Sequence, residues 1–151
     1  MGRARAATVV PLSPHEAFDL WTDVRRWPTF VDGFARAERV DEAWPDPPAK
    51  LVWQSVPGGR GSVTEKVTRS SRPLLHETLV IEEKLAGTQT ATFAAAGEEG
   101  TTVDLQLEYR AEVGGPLRPI VDLLFIRRAQ NDALTRTLRR FATEAAEQAS
   151  L

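Results

Sequence analysis

The sequence predicts an α+β fold in which an antiparallel sheet wraps a long C-terminal helix and encloses a pocket. Three observations carry this. Six strand-like segments follow one another between residues 34 and 113, separated only by turn residues. The last of them, 102–113, alternates cleanly, with Val103, Leu105, Leu107, Tyr109, Ala111 and Val113 on one face and charged or amide residues on the other. One wet and one buried face is the pattern of an antiparallel sheet covered on a single side. Beyond Gly114-Gly115-Pro116, residues 116–148 read as one helix, with Pro119 confined to its first turn, and only this element is long enough to be the cover.

Taken in order, residues 4–10 form a first strand ending at Pro11. Ser13-Pro14-His15-Glu16 has the form of a capping box, with Pro14 in the first turn of a short helix whose apolar side is Ala17, Phe18 and Trp21. Asp23 caps a second short helix, which Trp27-Pro28 is expected to end. Strands follow at 34–41, 50–56 and 62–69, the last two flanking Pro57-Gly58-Gly59-Arg60-Gly61 as a hairpin. Strands 74–82 and 88–95 are joined at Ala86-Gly87, and Gly97-Glu98-Glu99-Gly100 turns the chain into the final strand. With no linker, repeat or low-complexity segment, residues 1–151 are expected to form a single domain.

Composition narrows the partners. A net charge of −2 argues against nucleic acid. There is no cysteine and only His15 and His76, so neither a disulfide nor a metal site is expected, and no cofactor is called for. No apolar run approaches the roughly 20 residues of a membrane span, so no integral membrane contact is expected. No apolar segment of a leader follows the basic Met1–Arg5, and a cytoplasmic protein is the expectation.

The chain resembles the START-like superfamily, also called SRPBCC, which includes polyketide cyclases and birch-pollen-allergen-like proteins. The resemblance rests on residues 14–23 (Pro-His-Glu-Ala-Phe-Asp-Leu-Trp-Thr-Asp), Trp27-Pro28-Thr29-Phe30, Trp53-Gln54-Ser55, Gly59-Arg60-Gly61 with Val63-Thr64-Glu65, and Leu138-Arg139-Arg140-Phe141. It covers essentially the whole chain. It implies a helix-grip fold: a seven-stranded sheet gripping the helix, two short helices after the first strand, and a cavity between sheet and helix. It is specific for fold and weak for function.

The candidate site residues come from faces and phases. The helix stripe Ile120, Leu124, Leu134, Leu138, Phe141 and Ala145 also contains Arg127 and Asn131. A buried guanidinium is costly alone, so Arg127 is expected to meet a carboxylate, a ligand or trapped water. Glu65 lies between Val63 and Val67 and so points inward. In the next strand Leu75, Leu79 and Ile81 set a phase that turns Glu77 inward and His76 outward. A hairpin turning near Ser71-Arg72 then pairs Glu65 with residue 77 or 78, and the two carboxylates flank Arg127, one of them holding its proton near neutral pH. This cluster is either structural scaffolding or a polar anchor. Phe30, Trp53, Phe93, Tyr109 and Leu124 are the expected walls.

The glycine-rich loop at 58–61 lacks the Gly-Lys-Ser/Thr of a phosphate loop and joins strand to strand, so it reads as a turn. Arg128, Arg136, Arg139 and Arg140 make one flank of the helix basic, as a solvated face commonly is. The function expected is binding of a small hydrophobic molecule, lipid-like or polyketide-like. The alternatives are a polyketide cyclase or dehydratase using Glu65 or Glu77 as acid or base with Tyr109 as donor, and an interaction protein with a collapsed pocket. Binding is favoured because no base is poised.

Overall fold

The computed structural model describes residues 1–111 and 125–151. Its elements are β1 (Gly2–Val10), α1 (Pro14–Thr22), a 3₁₀ turn (Val24–Arg26), α2 (Trp27–Phe30), β2 (Phe34–Val40), β3 (Lys50–Ser55), β4 (Ser62–Ser71), β5 (Leu75–Glu82), β6 (Leu85–Ala95), a second 3₁₀ turn (Gly97–Glu99), β7 (Thr101–Ala111) and α3 (Arg127–Ala149). The seven strands form one antiparallel sheet in the order β1-β7-β6-β5-β4-β3-β2. From β2 to β7 it is a meander, and β1 closes the far side next to β7. Helix α3 packs along β1 and against α2, so that Leu134, Leu138, Phe141 and Ala145 are buried with the inward residues Val103, Leu105 and Leu107 of β7. The helix-grip architecture expected from the sequence is the one adopted. The expected helix start near residue 116, Pro119 and Leu124 lie outside the described residues.

Local chemistry explains the entry into this core. Ser13 and Glu16 form the expected capping box, with the Glu16 amide donating to Ser13 Oγ (3.2 Å) and the Ser13 amide donating to the Glu16 carboxylate (3.1 Å). Asp23 accepts from the Arg25 amide and caps the 3₁₀ turn. Trp27-Pro28 does not end the helical stretch, as the sequence suggested. Pro28 instead sits in the first turn of α2, where no amide donor is required. The three short segments seat Phe30 against Trp21 and Phe141, with ring centroids 5.7 and 5.1 Å away.

Two expectations fail in β5 and β6, each for a physical reason. Residues directly opposite in a ladder share a face. Glu65 opposes Val80, not residue 77 or 78, and a bulge between Val67 and Arg69 shifts the remainder of the pairing. The inward residues of β5 are therefore His76, Thr78 and Val80, all buried, while Leu75, Glu77, Leu79 and Ile81 face outward. A slip of one residue exchanges the faces, and the apolar Leu75, Leu79 and Ile81 had suggested the opposite phase. His76 packs within 5.1 Å of Trp44 and 6.1 Å of Phe18, and burial lowers its pKa to about 4.

The second failure is Ala86-Gly87, which lies inside β6 and not in a turn. The hairpin turns at Glu83-Lys84, since Glu82 already pairs with Leu85. Gly87 is needed for close approach: a Cβ there would lie 2.4 Å from the Glu108 carbonyl oxygen on β7.

The phase of β5 has a direct test. Val80→Ala is expected to cost about 2 kcal/mol, because it opens a void in the core, whereas Ile81→Ala should cost less than about 1 kcal/mol at its half-exposed position. Urea unfolding of the two variants checks it, and the reverse ranking would restore the phase read from the sequence.

Candidate functional site

Glu65 is the chemical centre of the concave face. It is 5% exposed, and alternation along β4 directs it inward between Val63 and Val67, as the sequence predicted. The Trp53 indole N–H on β3 donates to Glu65 Oε2 at 2.9 Å, and the Thr78 hydroxyl on β5 lies 3.1 Å from Oε1. Burial pushes the Glu65 carboxyl above its usual range. The Trp53 bond, the Arg60 charge and the Thr78 bond pull it back, while the charge of Glu82 adds to the rise. An indole N–H can only donate, so Oε2 must accept. In the neutral acid the proton therefore sits on Oε1, facing a hydroxyl that is able to accept it.

Glu65 lies on a cleft between sheet and helix. Leu105, Leu107 and Gln89 form its sheet side, and Gln130, Leu134 and Thr137 its helix side. Trp21, Trp27 and Trp53 supply aromatic walls. Its free volume is about 30 Å³, room for about one water. Asp32, Arg60, Gln89 and Gln130 are partly exposed and carry polar ends. Asp32 accepts from Arg136 (3.0 Å) and Arg140 (3.2 Å), which hold its pKa below the ordinary value and commit half of the helix's basic flank.

Arg60 is the residue that sequence reasoning passed over. Its guanidinium carbon lies 5.1 Å from the centroid of the Trp53 ring, and its Nε donates to Glu82 Oε2 at 2.6 Å. The expected contact of Arg127 with Glu65 and Glu77 is not the one formed: Arg60 pairs with Glu82, and its charge also reaches Glu65. The available signal was the phase of β5: once Val80 faces inward, so do Thr78 and Glu82.

The other expected residues separate. Glu77 is on the outer face, bound by Arg69 at 2.7 and 3.2 Å and by Thr68 and Thr90, and Arg69 lowers its pKa, so it is no acid for the cleft. Among the described residues Arg127 makes no ion pair with Glu65. It lies at the start of α3 in a groove with Met1–Arg5 and Glu108, and its buried Nε has no hydrogen-bond acceptor. Asn131, one turn on, accepts from the Arg5 amide at 3.0 Å and so ties down the edge strand β1. At about 100° per residue, Arg127 and Asn131 point to β1 while Gln130 and Thr137 point to the cleft, a distinction that a broad stripe conceals. Phe30 and Phe93 are core residues, Phe93 meeting Phe18 at 5.5 Å. Tyr109 faces inward over Gly2, where a Cβ would lie 2.2 Å from the ring. Of the proposed walls and anchors, Trp53 and Glu65 line the cleft, and Leu124 lies outside the described residues. Among the described residues no three His, Asp or Glu side chains cluster to hold a metal, and no described helix is long and apolar enough to cross a membrane.

A protein-family sequence model described as polyketide cyclase / dehydrase and lipid transport matches residues 1–146. The chain belongs to this family. No curated protein matches its sequence. Solved structures with the same fold include a START superfamily protein from Mycobacterium smegmatis, 15% identical with a TM-score of 0.70, the match covering 98% of this chain and 99% of that one. Norcoclaurine synthase from Thalictrum flavum is 14% identical with a TM-score of 0.71, over 97% and 94% of the two chains. The di-domain ARO/CYC protein StfQ of the steffimycin biosynthetic pathway is 15% identical with a TM-score of 0.72, over 99% of this chain and 52% of that one. At these identities the likeness is one of fold.

The family match leaves Glu65 as the group whose state can be measured. Between the ordinary carboxyl value of 4.5 and its own raised value, the folded chain holds a proton that the unfolded chain has lost. Its contribution to stability is full below the ordinary value and is lost as pH rises through the raised one. Glu65→Gln keeps an acceptor for Trp53 and carries no charge, so it should be at least as stable as the parent at neutral pH, with a flatter stability–pH curve. Glu65→Leu leaves the indole N–H unpaired and should cost about 1–3 kcal/mol. Urea unfolding across the pH range reads both, and parallel curves for parent and Glu65→Gln would contradict a neutral Glu65.

Proposed function

We propose that the chain, acting as one ligand-binding domain, holds a small, mostly apolar molecule of lipid-like or polyketide-like character in the cleft between α3 and the sheet. The observation that carries this is the Glu65 carboxyl, buried among tryptophan and leucine walls and yet supplied with partners for both oxygens. A polar anchor in an apolar recess is how small-molecule sites fix orientation, and the family's description names polyketide cyclase / dehydrase activity and lipid transport. A typical small-molecule site measures roughly 300 Å³ or more. Entry therefore requires the side chains of Arg60, Gln89 and Gln130 to move aside.

The same carboxyl favours a second reading. An acid whose pKa is raised by burial keeps its proton closer to neutrality, where it can protonate a carbonyl or a leaving hydroxyl in a cyclisation or dehydration. The two readings part at Glu65→Gln, which should preserve binding in both and abolish turnover only in the second.

Binding is read by displacement of an environment-sensitive dye and by quenching of the cleft tryptophans. Aromatic and fatty ligands should displace the dye from the parent. Leu134→Trp, which fills the cleft from the helix side, should weaken them at least about tenfold, a loss of about 1.4 kcal/mol, while leaving the circular dichroism unchanged. Equal binding by parent and Leu134→Trp would place the ligand elsewhere. No binding to either would leave the interaction-protein reading.

A further inference from the structure

Arg60 stands in the cleft as an occupant. It sits on the hairpin loop between β3 and β4, where Gly58 and Gly61 take φ of +80° and +72°, a region that side chains rarely adopt. From there its guanidinium lies over the Trp53 face at 5.1 Å and bonds Glu82, whose side chain is 10% exposed, at 2.6 Å. Glu65 accepts from the N–H at the edge of the same ring. An aromatic face flanked by carboxyls is a seat for a cation, and here the protein's own arginine fills it.

The small free volume means that a guest must displace this side chain. Once Arg60 leaves, Glu82 is a nearly buried carboxylate without its counter-charge, close enough to Glu65 to raise its pKa. A neutral guest leaves that charge stranded, and an anionic guest adds a second to it. A guest carrying a protonated amine replaces what was lost, on the ring face and on the carboxylate together. Of the two acids that line the cleft itself, Asp32 is already neutralised by Arg136 and Arg140, and Glu65 is held by Trp53 and Thr78.

We infer that the Trp53–Glu82 seat is a cation site, filled in this structure by Arg60, and that the ligand bears a protonated amine on an apolar body. This rests on the small-molecule reading above and adds the chemical class.

Phenethylamine, phenethyl alcohol and hydrocinnamate share a ring and a short arm and differ in charge. They are titrated at neutral pH into the parent, Arg60→Ala and Glu82→Gln, followed by tryptophan fluorescence and calorimetry. The amine should bind the parent roughly tenfold more tightly than the alcohol. Arg60→Ala should tighten the amine further by a similar factor and leave the alcohol little changed. Glu82→Gln, which keeps Arg60 in place, should erase the preference and serves if Arg60→Ala fails to fold. Alcohol binding equal to amine binding overturns the cation seat while sparing the small-molecule reading. So does tightest binding of hydrocinnamate with its loss in Arg60→Ala, which would make Arg60 an anion anchor. If no probe binds any of the three proteins, both readings fall.

Discussion

A carboxyl in the middle of the concave face is the constraint around which this molecule is arranged. Ionised and dry, Glu65 would oppose folding strongly, so the surroundings must either neutralise it or solvate it with fixed dipoles. The sheet supplies the dipoles and favours the neutral form. Burial raises the pKa of the carboxyl, and Trp53 and Thr78, contributed by the strands on either side of β4, bond its two oxygens. Each partner is itself positioned by alternation, so the phases of β3, β4 and β5 are locked to one another through one side chain. Trp53 then offers its ring face to Arg60, and Arg60 holds Glu82. The contacts run from Glu65 through Trp53 and Arg60 to Glu82.

Much of this was written plainly in the sequence. Strong alternation in β7 through Ala111, the Ser13–Glu16 capping box and the burial of Leu134, Leu138, Phe141 and Ala145 on α3 appear as read. The inward direction of Glu65 followed from Val63 and Val67 alone. The fold was legible because local pattern and global packing agree in these elements.

The candidate site was legible only in part, and the reason is a single strand. In β5 the residues of the outer face, Leu75, Leu79 and Ile81, are more apolar than His76 and Thr78, which are buried. Hydrophobic alternation inverts when a core accepts a histidine and a threonine with a task, here Thr78 holding Glu65. The bulge between Val67 and Arg69 then breaks the count that would have located the true register. With β5 inverted, Glu77 was given the inward place that Glu82 holds, and Arg127, taken from the helix stripe, was assigned partners that it does not meet. The structure pairs Arg60 with Glu82, where the sequence reading had set Arg127 between Glu65 and Glu77. Gly87 misled in the same way: it reads as a turn and serves as a place where β7 comes too near for a Cβ.

The account depends on Glu65 being a neutral acid inside a folded protein at ordinary pH. Infrared difference spectroscopy of the parent against Glu65→Gln, both at neutral pH, observes that state without perturbing it. A carbonyl stretch of a protonated carboxyl in the parent, absent from the variant and shifted when exchangeable protons are replaced by deuterium, is the result expected. If the difference spectrum instead shows only the paired bands of a carboxylate, Glu65 is ionised in its pocket, and the cleft is organised around a buried negative charge that this account does not contain.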